Sequence, residues 1–439
     1  MPAEQTQSPA RVANVPPEVT GQPRRVVVGS VTWRDTFAAL KHRNYRLFFA
    51  GQFVSLIGGW MQTTAQGWLV YQLTGSKVWL GTVAAIGSLP MLLLSVWGGS
   101  LADRHPKRTV ILFTQTGMML LAFVFAALVW SGRIQPWHIL VLAALGGAAM
   151  AFDMPSRQAF TVEMTSREDL MNAISLNSSI FNGARIVGPS VAGFLMVHVG
   201  MAWCFLLNGL SFIAVIAGLL MMRLPKFIPP AEPPSTGRHV LEGFAYVAGQ
   251  RRVRLLLLFI GVVGIFGWSY SVLLPAYATD ILHVGERGYG ALLSANGVGA
   301  LLGALTVATY GSRLRPRLMI FGGVWVFSAM LVLLAVVRWF PLVLACLAVG
   351  GWGMLLCFST TNTLVQTSVS DAMRGRVMGI WALVFGGLMP LGGLESGLLS
   401  HAVGVPWTIA AGALICAGAG LVTWWAARRS LPAPVEPYA

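Results

Sequence analysis

Long apolar runs separated by short polar segments set the plan of the chain. Twelve such runs fall at about 47–72, 79–102, 109–131, 137–157, 171–198, 203–222, 255–279, 289–310, 318–337, 341–368, 377–402 and 406–427. Each is close to the roughly 20 residues that cross a bilayer as a helix. Lipid offers no hydrogen bond to a free backbone group, so this many spans predicts an all-α membrane protein. Residues 223–254 hold no span and divide the runs six and six. The halves also repeat: a shift of 209 sets Arg104…Arg108-Thr109-Val110-Ile111 against Arg313…Arg317-Leu318-Met319-Ile320, with Ser312 where Asp103 stands. The expected organisation is an arm over 1–34, a six-helix bundle over 35–222, a linker over 223–254, a second six-helix bundle over 255–428 and a tail over 429–439.

Polar positions inside the runs follow helical spacing. Gln52, Ser55, Gly59, Gln62 and Gln66 share one face of span 1. Ser175, Ser178, Asn182, Arg185 and Pro189 share one face of span 5, and Gly261, Gly264, Trp268, Ser271 and Pro275 one face of span 7. Span 10 is polar near one end, with Asn362 among Ser359, Thr360, Thr361, Thr363 and Gln366. Spans 9 and 12 are nearly free of strongly polar residues. Polar side chains in a membrane face a bundle interior or a wet cavity. Gln62, Gln66, Asn182, Arg185, Trp268 and Asn362 are therefore candidate cavity residues, with interhelical hydrogen bonding as the alternative use of such stripes.

The charge balance sharpens the topology. The chain carries 30 Lys and Arg against 15 Asp and Glu, a net charge of +15. Only Lys77, Arg133, Arg287 and Arg338 fall on one side of the spans, and Arg185 falls inside one; the other 25 lie on the opposite side. That asymmetry is the positive-inside pattern, and it predicts both termini in the cytoplasm. The basic excess reports topology and gives no ground for nucleic-acid binding. Cys204, Cys346, Cys357 and Cys416 all sit in spans without metal-site spacing, so no metal site is expected. Residues 1–33, rich in Pro, Gln and Arg, read as disordered, with no cleavable signal. Residues 35–46 read either as an interfacial helix or as a charged flank to span 1.

The loop Gly99-Ser100-Leu101-Ala102-Asp103-Arg104-His105-Pro106-Lys107-Arg108, placed after the second span, closely resembles the signature loop of the major facilitator superfamily. Gly99, Asp103, Arg104 and Arg108 match it, while Pro106 and Lys107 depart from it. Gly188-Pro189 followed by Gly193 resembles the antiporter motif of facilitator exporters, with Ala192 in place of a glycine. Asn44-Tyr45-Arg46-Leu47-Phe48, Gln72-Leu73-Thr74-Gly75-Ser76 and Arg374-Gly375-Arg376-Val377-Met378 extend the resemblance to the branch of siderophore exporters and macrolide efflux pumps. It implies two pseudo-symmetric six-helix bundles around a central cavity in the cell inner membrane. It also implies export of a small amphipathic molecule, such as a siderophore or drug, by proton antiport. The alternatives within the same fold are an uncoupled or uptake facilitator and a lysophospholipid-type flippase. Expected partners are the small-molecule substrate, protons and the lipid bilayer, with the chain acting as a monomer.

Four chemical expectations follow. Pro189 cannot donate to the carbonyl of Arg185, so span 5 is weakened there. Arg185, a charge deep in a span, binds an anionic group, pairs with a titrating acid, or satisfies freed carbonyls. Glu395 and Asp153 are the candidate proton carriers, because burial favours the neutral carboxyl. Asp153 is expected at the depth of Asp103 and Arg108, and the resemblance implies that Asp103, Arg104 or Arg108, Asp153 and Arg157 form an inner gate. No catalytic constellation, phosphate loop or cofactor motif is present, so no enzyme activity and no cofactor are expected.

Overall fold

The computed structural model describes residues 37–166, 168–224, 236–311 and 313–427. The expected arm over 1–34, the tail over 429–439 and the start of the linker lie outside the described residues. Six helices come first: α1 Arg43–Thr74, α2 Lys77–Arg104, α3 Lys107–Trp130, α4 Pro136–Met164, α5 Leu170–His198 and α6 Ala202–Leu220. A helix in the linker follows, α7 Thr236–Gly249. The second set is α8 Arg251–Ala276, prolonged by a π turn over Tyr277–Leu282, then α9 Gly285–Tyr310 and α10 Gly323–Val336, preceded by a π turn. It ends with α11 Phe340–Thr367, α12 Asp371–Gly387, α13 Met389–Val403 and α14 Val405–Ala427. No strand occurs among the described residues.

The packing shows the internal repeat. In the first half α2 lies on α4, α1 on α5 and α6, and α3 on α4 and α6. In the second half α9 lies on α11, α8 on α13 and α14, and α10 on α11 and α14. Each pair is its counterpart shifted by six spans. The two large contacts between halves, α5 with α9 and α2 with α13, also exchange under that shift. This is a parallel repeat related by a pseudo-twofold axis, the arrangement of the major facilitator fold.

Among the described residues eleven helical stretches are long and apolar enough to cross a membrane by length and composition. α1 is not among them, although its 32 residues are ample in length. Its glutamines lower its apolar content. α1 ends at Gly75, whose left-handed φ of 58° suits a residue without Cβ, and Gly75 N–H donates to the Tyr71 carbonyl. Ser76 then caps α2 through the Trp79 amide.

One boundary differs from the sequence reading. The fourth run, expected to stop at 157, continues as α4 to Met164 through Pro155. The eleventh remains one membrane-length stretch, Met373–Val403, with a break between helices inside it at Leu388. Pro390 lacks a donor and serves as an early residue of the new helix α13. The segment before α1 also settles into one place. The Ala39 amide donates to Asn172, Lys41 and His42 meet Asp169 at 2.7 Å, and Tyr45 Oη donates to the Ala173 carbonyl. Residues 39–45 are thus docked on the start of α5.

Candidate functional site: the seam between the halves

The end carrying α1's start and α14's finish is called here the basal end, and the opposite one the far end. Pro189 and its glycines place α5 between the two halves. A Cβ on Gly188 would stand 2.5 Å from Trp60 Cβ, so α5 touches α1 there. One turn on, Gly193 lies against the backbone of Glu286, Arg287 and Gly290 of α9, and Gly290 lies against the Pro189 carbonyl. The motif read as antiporter-like therefore packs one half on the other.

Polar bonds stitch the same contact. Ser294 Oγ lies 2.7 Å from Ser190 Oγ and donates to the Ile186 carbonyl at 2.8 Å. Arg185 Nη2 donates to Asn296 Oδ1 at 2.6 Å, and Asn296 Nδ2 donates to Tyr270 Oη at 2.8 Å. The guanidinium lies 5.7 Å from the centroid of Trp60 and 5.6 Å from that of Trp268, one ring from each half. Gly297 comes up against the Arg185 carbonyl that Pro189 leaves free. Arg185 and Trp268 are thus brought together as one site. Asn296, Trp60 and Tyr270 complete it and were not singled out in the sequence. Asn296 is the one polar side chain among the glycines of α9 between Ser294 and Gly299, and that was its only signal.

The other seam is plainer. Gly81 of α2 and Gly393 of α13 approach so closely that a Cβ on Gly81 would fall 2.2 Å from the Gly393 carbonyl oxygen. Gly397 lies against Lys77 and Gly81. Towards the far end Tyr71 Oη donates to Asp280 at 2.6 Å, Lys77 lies 3.4 Å from Asp280, and Trp68 stacks on Tyr289. These hydrogen bonds, ring contacts and glycine approaches between the halves run from mid-depth, at Arg185 and at Leu92 against Gly387, to the far end. Arg185 is about 20 Å from the far end of α5 by helix rise.

Other candidates are placed elsewhere. Gln62 accepts a hydrogen bond from Asn208 of α6 at 2.7 Å, and a Cβ on Gly58 would strike Asn208 and Ser211. Gln62 is therefore turned to α6 rather than joined to the site at Arg185, while Gly59 of the same stripe faces open space. Equal spacing puts residues on one face without saying which neighbour meets it. Gln66 is half-buried, next to Gly67, which faces Tyr289. Asn182 bonds to its own helix at the Ser178 carbonyl, and Asn362 accepts from Gln366.

At the basal end Asp153 is fully buried, and its carboxylate takes Thr114 Oγ1 at 2.7 Å and Gln115 Nε2 at 3.0 Å from α3. Arg157 Nε lies 2.5 Å from its other oxygen. Asp153 is thus paired one helical turn from its own position and against α3. The expected depth match with Arg108 is corrected. Gln115 stands seven residues along α3 from Arg108, about 10 Å deeper, because α4 runs on past Pro155. Arg108 turns instead to the Leu220 carbonyl, and Lys107 pairs with Glu163 at 2.6 Å. Asp103 and Arg104 are exposed, and Gly99 is half-buried in open surroundings. Glu395 carries a buried carboxyl oxygen with no hydrogen-bond partner and lies within electrostatic reach of Cys416 on α14. That charge-sensitive neighbour, Cys416, belongs to the second half. The linker helix α7, which the sequence reading left without structure, packs on α12, with Arg376 2.9 Å from Glu242.

Among the described residues no group of three or more His, Cys, Asp or Glu could hold a metal ion. A family model described as transmembrane secretion effector matches residues 34–434. The chain is 25% identical to the staphyloferrin A transporter of Staphylococcus aureus, over 82% of this chain and 90% of that one. It is 27% identical to the multidrug efflux pump Tap of Mycolicibacterium fortuitum, over 81% and 88%. It is also 27% identical to the enterobactin exporter EntS of Escherichia coli, over 80% and 84%. Among solved structures its fold matches a bacterial homolog of the human lysosomal transporter Spinster, inward-facing and unoccupied. That match has TM-score 0.72, 12% identity, and covers 91% of this chain and 98% of that one. The nucleoside transporter NupG matches with TM-score 0.66, 17% identity, and coverage of 88% and 98%.

Proposed function

The chain belongs to the transmembrane secretion effector family of the major facilitator superfamily, and from that premise we propose that it exports a small amphipathic molecule by proton-coupled alternating access. It is a multi-pass membrane transporter and not an enzyme. The observation that carries the mechanism is the distribution of contacts between halves. They join the halves from mid-depth to the far end, through two seams that a pseudo-twofold axis exchanges. Rocking of the unit over 35–222 against that over 255–428 would open the far end and close the basal end. The relatives named for siderophore and drug export support the outward direction.

The excess of basic residues at the basal end supports reading that end, with both termini, as cytoplasmic in a cell inner membrane. Asp103, Arg104 and Arg108, exposed or turned to a carbonyl here, are free to form a basal gate in the alternate state. Glu395, without a hydrogen-bond donor, is the leading proton carrier, and Asp153, held by three groups, the second. Reconstituted protein should drive efflux from an imposed pH gradient, and Glu395→Gln should lose that dependence. If Glu395→Gln and Asp153→Asn both keep the wild-type response, proton coupling through these carboxyls is wrong and uncoupled transport takes its place.

A further inference from the structure

Among the described residues no acid forms an ion pair with Arg185. Of the acids near the seam, Asp153 and Asp280 hold other groups, Glu395 lies on α13, and Glu286 stands ten residues along α9 from Asn296, about 15 Å away by helix rise. Asp153 holds Arg157, Asp280 holds Tyr71 and Lys77, and Glu395 faces Cys416. What surrounds the guanidinium is neutral: Asn296, Trp60 and Trp268. Two ring faces and one amide oxygen hold its plane. They leave its charge uncancelled at mid-depth, where an unpaired arginine is costly. Retaining that cost makes sense where an anion visits.

The geometry suits one kind of anion. A guanidinium has five donors in a planar fork, which matches a carboxylate with two parallel hydrogen bonds. Asn296 takes one donor. Arg185 is only half-buried, and none of its nitrogens is sealed in protein without a partner. Donors beyond the one given to Asn296 therefore remain for a ligand at the seam. The flanking indoles, one from α1 and one from α8, offer flat apolar surface beside the charge. Because the rings belong to opposite halves, a ligand seated there touches both moving parts.

We propose that Arg185, between Trp60 and Trp268, is a substrate site for organic anions in which a planar carboxylate-like group adjoins a flat apolar body. This rests on the transport reading above and narrows its substrate class.

The test uses full-length protein in lipid nanodiscs and three matched probes: 2-naphthoate, neutral 2-naphthamide and cationic 2-naphthylmethylammonium. Binding is followed by thermal stabilisation and calorimetry. Wild type should bind naphthoate at least tenfold more tightly than the amide or the ammonium. Arg185→Gln should erase that preference, and Arg185→Lys should restore part of it as a point charge without the fork. If Arg185→Gln does not fold, the probe preference of wild type and its weakening in Trp268→Leu decide. Equal or better binding of the amide or ammonium overturns the proposal, as does naphthoate binding that survives Arg185→Gln. No binding of any probe overturns the site as described. Uncoupler-sensitive efflux, measured separately, distinguishes the two readings. An active exporter that prefers neutral or cationic compounds sinks the anion site alone. A protein that binds naphthoate yet moves nothing sinks the export reading alone.

Discussion

The two seams between the halves are related by pseudo-symmetry and built from different chemistry. α5 meets α9 through serine hydroxyls, Asn296 and a cation, with glycines between them. α2 meets α13 through Gly81, Gly393 and Gly397. The difference separates two jobs that a rocking interface must do. A glycine surface lets backbones approach and part with little directional bonding to break. A polar surface fixes register and offers groups to a ligand. One seam is suited to be the bearing and the other to be the contact point for cargo.

The sharpest way to break this division is Gly81→Ala. The added Cβ would sit 2.2 Å from the Gly393 oxygen, and a backbone carbonyl cannot swing aside as a side chain can. The far end should fail to close on that side. Efflux in proteoliposomes should fall at least tenfold at unchanged protein level, and a wild-type rate would refute the bearing role. Ser294→Ala asks less of the polar seam. It removes the bonds to Ser190 and the Ile186 carbonyl, at about 0.6–1.7 kcal/mol for such bonds in membranes. Helix–helix distances from spin labels should show a few-fold shift of population away from far-end closure, while the fold survives.

The smallest effect concerns how α5 is anchored at its basal start, an anchor α13 lacks because its start is the break at Leu388. Lys41, then His42, hold the Asp169 carboxyl at about 2, below its ordinary 3.8. A depressed carboxyl contributes its contact above the ordinary value and loses it as pH falls through about 2. A spin label at Phe37→Cys should therefore gain mobility between about pH 4 and pH 2. In Asp169→Asn it should be mobile at neutral pH, and equal mobility in both proteins would remove the anchor.

The twelve spans and the six-and-six division were legible because lipid forces long apolar helices whatever their partners. Period alone also marked Arg185 and Trp268 as special. What it could not supply is azimuth. The glutamines of α1 share a face, yet Gln62 meets Asn208 of α6 while Gln66 adjoins Gly67, which faces Tyr289. Nor could it supply depth where the end of a run is ambiguous. The fourth run read as ending at 157 but continues to Met164, which moved Asp153 away from Arg108. Asn296 was hidden because a single amide in a glycine-rich helix has no period of its own. The linker helix was missed because apolar runs were sought only at membrane length.

The polar face of α1 also constrains how the protein is made. α1 is the first span to leave the ribosome and the one that falls short of the apolar content of the other eleven. Its side facing Asn208 has no protein partner until α6 has been synthesised, more than a hundred residues later. Integration of the first span is therefore a delayed event completed by the sixth. Chains truncated after α5 should leave α1 accessible to aqueous thiol reagents at a cysteine placed at Ser55. Chains extended through α6 should protect it, and protection already present in the shorter chain would show that lipid alone suffices.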